Sequence, residues 1–123
     1  MLELLKKYPE AGKVVKDHFL SRMLENLNDD NIPDDFKEHV RAMGIEDEKV
    51  ASMVGSAPRS MFDVFDDNGL FINILFDNER NLFTWSINGQ TNSQNYIFRK
   101  AAEQEAVAEA FKLLNEKLCQ TQL

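Results

Sequence analysis

The chain has 123 residues and a formal net charge of −7, with 43% hydrophobic and 28% charged residues. This length predicts a single domain over residues 1–123, and the apolar content excludes an intrinsically disordered chain. One cysteine, Cys119, excludes an internal disulfide and a cysteine-based zinc cluster. The first residues lack the basic region of a secretory signal, and no apolar run is long enough to span a bilayer, so we expect a cytoplasmic protein without a membrane segment.

Negative charge is concentrated in the middle of the sequence. Residues 29–79 contain thirteen acidic and four basic residues, a net charge of −9, whereas residues 1–28 and 80–123 each carry a net charge of +1. A negative field repels phosphate backbones and acidic membranes and attracts basic surfaces. The charge pattern therefore favours a basic protein surface as partner and disfavours nucleic acid.

Apolar residues recur at helical spacing through the first half of the chain. Pro9 is suited to the first turn of a helix, and the pattern after it predicts a long amphipathic helix over about 9–27. A proline followed by two acids begins a second predicted helix, over 33–44, which ends at a glycine. A third helix is predicted over about 46–54, with Gly55 as its stop.

The apolar spacing changes from helical to alternating near residue 61. This alternation predicts three antiparallel strands within residues 61–88, with a first tight turn at residues 66–69, because Asn and Gly tolerate positive φ. Residues 70–76 are apolar on nearly every position, which predicts a central strand covered on both faces. Residues 96–98 are a candidate for a short fourth strand.

Strand alternation places Phe65, Phe71 and Leu75 on the sheet face opposite Ile72 and Ile74. Either the N-terminal helices cover this face or it is an exposed surface for a partner. Monomeric proteins rarely expose contiguous apolar patches, so we expect the helices to cover it.

A final amphipathic helix is predicted over about 99–118, with alanines on its apolar stripe that allow close approach to the sheet. Trp85 and Phe111 each lie on the apolar face of their element, and we expect both in the main core. The predicted fold class is α+β: N-terminal helices, an antiparallel β-meander of three or four strands, and a C-terminal amphipathic helix packed on the sheet.

Common catalytic and cofactor-binding patterns do not occur in the sequence: it contains neither a Gly-rich phosphate loop nor a G-x-S-x-G motif. We therefore predict no catalytic residue, no cofactor and no metal ligand. His18 is interpreted as a structural or surface histidine. Asp35 and His39 lie four residues apart on a predicted helix, and an enzyme or metal site around His39 is the weakest hypothesis, because a solvated helix face explains the same residues.

Two patterns are typical of nucleic-acid-binding proteins. Residues 47–66 have helix-turn-helix spacing, in which 57–66 is a recognition helix and 70–87 a wing, so 57–66 is either a strand or a recognition helix. The predicted hairpin followed by Arg99 and Lys100 resembles the second half of a double-stranded-RNA-binding domain. Acidic residues lie on both candidate surfaces, so both remain alternatives to the leading hypothesis.

The leading hypothesis is a non-enzymatic protein-binding or accessory module whose partner has a basic surface. Its candidate contact residues are the acids at the start of the second helix and in the 66–69 turn: Asp34, Asp35, Glu38, Asp66 and Asp67. We expect these acids to lie on one exposed surface. The sequence leaves the oligomeric state open.

Overall fold

The computed structural model describes residues 1–26, 33–54 and 58–121. Its helices are α1 (Leu2–Lys7), α2 (Pro9–Asn26), α3 (Asp34–Met43), α4 (Asp47–Val54), α5 (Phe62–Asp67) and α6 (Arg99–Thr121), with a 3₁₀ turn at Pro58–Met61 before α5. Its strands are β1 (Ile72–Asp77), β2 (Leu82–Ile87) and β3 (Gln90–Thr91), which form one antiparallel sheet in the order β1-β2-β3. The predicted α+β class is confirmed, including the C-terminal helix on the sheet.

Helix α6 forms the middle layer of the molecule. It packs against β1 and β2 and also against α2, which in turn contacts α1 and α4. Ala102, Ala106 and Ala110 are fully buried on α6, and their small side chains allow neighbouring elements to approach closely. The N-terminal helices are therefore joined to the sheet mainly through α6.

Phe111 lies at the centre of the hydrophobic core. Its side chain is fully buried, as is that of Phe65 on α5, and the two rings meet edge to face with centroids 5.6 Å apart. This geometry is favoured by the aromatic quadrupole. Trp85 is partly buried and packs against the same core cluster, so the predicted placement of Trp85 and Phe111 is confirmed.

The predicted first strand of the meander is wrong, because the chain from Pro58 to Asp67 is helical. Met61, Val64 and Phe65 are all buried, and their spacing of three and four residues is that of one helix face. The same short run also contains an alternating pattern, which so few residues cannot distinguish from a helical one. Phe65 therefore belongs to the core and not to the outer face of the sheet.

Gly69 ends α5 and does not form a hairpin turn. Its φ is +79°, its N–H donates to the Asp66 carbonyl at 3.1 Å, and the Leu70 N–H donates to the Phe65 carbonyl at 2.8 Å. These two bonds around a left-handed glycine form a Schellman-type helix end. The positive-φ residue was predicted at the right position, but it terminates a helix.

The strand order also differs from the prediction. β1 is an edge strand, and β2 lies between it and β3. Tyr96 pairs with Phe83 as an isolated bridge in place of a fourth strand. The expectation that the N-terminal helices cover the outer face of β1 is wrong: Phe71 is 55% exposed and Leu75 is 42% exposed.

The predicted helices over 33–44 and 46–54 correspond to α3 and α4, and those over 9–27 and 99–118 correspond to α2 and α6. Residue 27 and the predicted stop at Gly55 lie outside the described residues. Helix α1 was not predicted, because Pro9 marked the first recognisable helix start. The chain bends at Tyr8, between α1 and α2.

Asn115 of α6 caps the N-terminus of α2. Its Oδ1 accepts hydrogen bonds from the Glu10 N–H at 3.0 Å and the Ala11 N–H at 3.2 Å. Pro9 has no N–H of its own, so Asn115 satisfies the next two donors of the first helical turn. This interaction joins the first long helix to the last one.

We predict that Phe111→Ala lowers the free energy of unfolding by about 3–5 kcal/mol, because the substitution leaves a cavity beside Phe65 in a fully buried site. Phe98→Ala is the matched control, since the Phe98 side chain is exposed, and it should change stability by less than about 1 kcal/mol. Urea unfolding followed by tryptophan fluorescence measures both variants. Equal losses in the two variants would contradict the described core.

Candidate interaction surfaces

Helix α3 carries an apolar stripe that is not buried. Phe36, Val40 and Met43 recur at spacings of four and three residues, which places them on one face of the helix. Phe36 is nevertheless 50% exposed and Met43 is 74% exposed, and no residue of α3 is buried. The sequence predicted a helix with this stripe, but the pattern alone did not reveal that the stripe lies outside the core.

α3 lies beside α2, and the two helices line shallow grooves between them. One groove is lined by Lys16 and Leu20 of α2 and by Arg41 and Met43 at the end of α3. A second groove is lined by Leu24 of α2 and by Lys37 and Arg41 of α3. Arg41 is thus on the side of α3 that faces α2.

The acids predicted as contact residues on α3 are all exposed. Asp34 and Asp35 occupy the first turn, where carboxylates are stabilised by the helix dipole. Glu38 lies one turn after Asp34, so these two form a row, whereas Asp35 lies on another flank of the helix. Asp35 therefore flanks the apolar stripe of α3, whereas Asp34 and Glu38 lie on the opposite side of the helix.

Asp66 and Asp67 lie in a different part of the molecule. They are exposed in the last turn of α5, which packs against α2, α6, β1 and the 3₁₀ turn. Helix α3 is not among the elements against which α5 packs. The five predicted contact residues thus lie on two elements that do not pack against each other, and whether they serve one partner remains a prediction.

Residues 47–66, which have the predicted helix-turn-helix spacing, contain α4, the 3₁₀ turn and most of α5. The β1–β2 hairpin follows them, in the position of a wing. Residues 55–57, which include the predicted turn and the first residue of the predicted recognition helix, lie outside the described residues. The exposed side of α5 carries Asp63, Asp66 and Asp67. Asp63 accepts a hydrogen bond from the Arg22 guanidinium at 2.8 Å, so the local basic residue is already paired.

The helix-turn-helix hypothesis would use Arg59 as a donor to nucleic acid, and the double-stranded-RNA hypothesis would use Arg99 for phosphate contacts. The two arginines bind the same carboxylate instead. The Arg59 Nη2 lies 3.0 Å and the Arg99 Nε 3.2 Å from Oε1 of Glu103. Glu103 is only 5% exposed. Two guanidinium groups thus offset the cost of burying one carboxylate on α6.

The two histidines do not form a recognisable catalytic group. His39 is exposed on α3. The His18 Nε2 is buried without a hydrogen-bond partner, and its ring meets the adjacent Phe19 ring edge to face at 5.6 Å. Within residues 1–26, 33–54 and 58–121, no group of three or more His, Cys, Asp or Glu side chains is arranged to hold a metal ion.

An exposed apolar surface on β1 is the feature that sequence reasoning missed most clearly. Phe71 and Leu75 are exposed on the outer face, and Phe76, at the far end of the other face, is 50% exposed and stacks on Phe83 with centroids 4.8 Å apart. A central strand would have buried these side chains. The signal was present in the unbroken apolar run, but a buried central strand produces the same run.

One concave feature near the sheet is a groove beside Trp85 of β2. It is lined by residues at the end of α1, of β2, of α6 and of the loop after β3, including Tyr8, Trp85, Asn92, Tyr96 and Lys112. The Tyr96 hydroxyl donates to Gln94 Oε1 and accepts from Asn92 Nδ2, both at 3.2 Å. These polar groups are engaged with each other, which orders the loop.

Comparisons with protein-family models, with curated proteins and with solved structures give no match to this chain. Across the described ranges, no helix is both long enough and apolar enough to cross a membrane. The functional argument therefore rests on the exposed surfaces described above.

We predict that Arg59→Met and Arg99→Met each cost little stability, about 0–1 kcal/mol, because the remaining arginine still pairs with Glu103. The double variant should lose about 1–3 kcal/mol more than the sum of the single losses, because it leaves a buried carboxylate without a cation. Urea unfolding of the four proteins in this cycle measures the coupling. Adding Glu103→Gln to the double variant should restore most of the loss, and additive single effects would contradict the shared ion pair.

Proposed function

We propose that this chain is a non-enzymatic protein-binding module and that α3 is its contact surface for a partner with a basic surface. The observation that carries the proposal is that α3 buries none of its residues although it has an apolar stripe at helical spacing. A helix whose apolar face lies outside the core is a common form of recognition element, in which the stripe fills a groove on the partner.

The charge around the stripe defines the chemistry of the partner. Asp34, Asp35 and Glu38 are exposed around the first two turns of α3. A groove with apolar walls would accept Phe36 and Val40, and lysines or arginines at its rim would pair with Asp35 beside the stripe. Asp34 and Glu38, on the opposite side of the helix, add to the negative field that attracts a basic partner. Rim charges of this kind set the association rate and the choice of partner more than the final affinity. Asp66 and Asp67 form a second negative surface on α5, in a different part of the molecule.

Nucleic-acid binding is the second candidate, and one observation favours it. Residues 58–67 are helical and follow α4, with a β-hairpin after them, as the helix-turn-helix hypothesis requires. The charge opposes it, because Asp63, Asp66 and Asp67 are exposed on α5 and would face phosphate. The protein-binding proposal is therefore better supported.

The test replaces Asp34, Asp35 and Glu38 with Asn, Asn and Gln. Proteins captured by the wild-type chain from an extract of its own cells at low salt supply the partner, and its affinity is then measured by titration. We expect affinity to fall at least about two-fold at low salt, since one exposed ion pair is worth about 0.5 kcal/mol and the variant also loses the long-range attraction of the other two charges. The difference between wild type and variant should vanish at high salt. Phe36→Ser should weaken binding at both salt concentrations.

The matched control replaces Glu3, Glu105 and Glu116 with Gln, which removes the same charge from exposed positions on other helices. This control should leave affinity for the captured partner unchanged. Binding to bulk duplex DNA distinguishes the second candidate, because neutralising the α3 acids should strengthen it if phosphate is the target. If the α3 variant and its control behave alike, the acids serve only solubility and the proposal is wrong.

A further inference from the structure

We propose that two copies of this chain pair through the free edge of β1, which joins their sheets into one continuous antiparallel sheet. This inference concerns a surface other than α3 and does not depend on the proposed partner. It rests on three features of β1: unpaired backbone groups, exposed apolar side chains, and a sequence that complements itself about a two-fold axis.

The hydrogen-bond pattern identifies the unpaired groups. The Asn88 N–H donates to the Phe71 carbonyl at 3.0 Å, and Phe71 lies opposite Asn88 in the β1–β2 register. Bonded and non-bonded pairs alternate in antiparallel sheets, so residues 73, 75 and 77 bond to β2 whereas residues 72, 74 and 76 point their N–H and C=O groups away from it. In the part of the chain that the structure describes, no backbone hydrogen bond joins these outward groups to another segment.

β1 lacks the features that usually protect an edge strand. Natural edges are blocked by prolines, lysines, bulges or covering loops. β1 contains no proline or lysine, and its register with β2 is continuous over all six residues. Its outer face instead exposes Phe71 and Leu75 beside the unpaired backbone, with Phe76 exposed on the other face. Exposed apolar side chains and unpaired backbone groups on one strand favour pairing with another strand.

In one antiparallel register between β1 of the two copies, each apolar side chain of β1 lies opposite another apolar side chain. With Asn73 opposite Asn73 of the second copy, Phe71 faces Leu75 on the outer side of the joined sheet. On the helix side, Ile72 faces Ile74 and Leu70 faces Phe76. Each apolar residue thus meets an apolar residue, and the two amides meet at the axis. Ile72 and Ile74 of the two copies exchange backbone hydrogen bonds, because both point outward.

Moving the two-fold axis to a later residue of β1 changes the register and loses this match of apolar side chains. With Ile74 at the axis, Phe71 would face Asp77 of the second copy, and the Phe71–Leu75 pair would be lost. With Leu75 at the axis, Phe71 would have no partner strand opposite it. The sequence of β1 therefore selects the pairing with Asn73 at the axis.

At the ends of β1 this register places Asp77 of one copy opposite Gly69 of the other. The Asp77 side chain lies on the outer face with Phe71 and Leu75, and its Oδ1 accepts hydrogen bonds from the Glu79 and Arg80 N–H groups at 3.0 and 3.3 Å. Gly69 has no side chain, so this carboxylate is not placed against an apolar residue of the second copy.

The test uses light scattering on the full chain and on Asn73→Lys. The wild type should show a mass above the 14.2 kDa of one chain that rises with concentration toward the dimer, and it should do so also at high salt. Asn73 is exposed, so Asn73→Lys keeps the monomer fold, which circular dichroism checks, but it places two lysines opposite each other at the axis. We expect the dissociation constant to rise at least about ten-fold. Thr91→Lys, on the opposite edge of the sheet, should leave it unchanged.

Cross-linking tests the register. In a Cys119→Ser background, which removes the exposed native thiol, Asn73→Cys should form a disulfide-linked dimer on mild oxidation, because residues opposite each other in a non-hydrogen-bonded pair are the closest across an antiparallel ladder. Thr91→Cys in the same background is the control and should not cross-link. A wild type that remains monomeric at the highest measurable concentration, or dimerisation that survives Asn73→Lys, would overturn the proposal.

Discussion

Phe111 and the alanines before it on α6 form a fully buried stripe between the two halves of the molecule. The small side chains bring neighbouring elements close to the helix, and the large ring fills the space at the centre, where it meets Phe65. Close packing of this kind makes a core sensitive to a change of a few methylene groups. The positions of α2, α5 and the hairpin all follow from contact with this one helix.

A core built around α6 covers only one face of a three-stranded sheet. Every helix that contacts α6 lies on the same side of the sheet as α6, so the outer face of β1 remains exposed. Within the described residues no strand remains to pair with the free edge of β1, so a strand that pairs with it would have to come from another molecule. Helix α3, which lines grooves together with α2, is exposed for a related reason: α6 is already covered by α2, α5 and the 3₁₀ turn on the sides that the sheet leaves open. The two candidate interaction surfaces are thus products of the same layer arrangement, although they differ in chemistry.

The sequence predicted the helices better than the strands, and the reason is physical. α2, α3 and α6 are long enough for helical periodicity to repeat, and proline or glycine marks several of their ends. Around Met61 to Phe65 the apolar run is too short to distinguish a period of two from one of 3.6. The glycine signal at Gly69 was located correctly, but a left-handed glycine ends a helix as readily as it makes a turn. Coverage of β1 depends on contacts distant in sequence, which local patterns do not contain.

The same limit applied to the candidate sites. Asp34, Asp35 and Glu38 were recognised from charge alone, and all three are exposed. The partners of Arg59 and Arg99 were not recognised, because the shared contact with Glu103 links residues 59 and 103 across the fold. Exposure of Phe36 and Leu75 depends on which surfaces other elements occupy, so the apolar positions were predicted and their environment was not.

Asn115 provides the cap of α2 from a position 104 residues further along the chain than Ala11. During synthesis the sequence of α2 emerges well before the asparagine that completes its first turn. Closing a loop of this length costs entropy before any contact compensates for it. The first turn of α2 is therefore completed only once α6 has been made, so the two long helices are expected to fold as one cooperative unit.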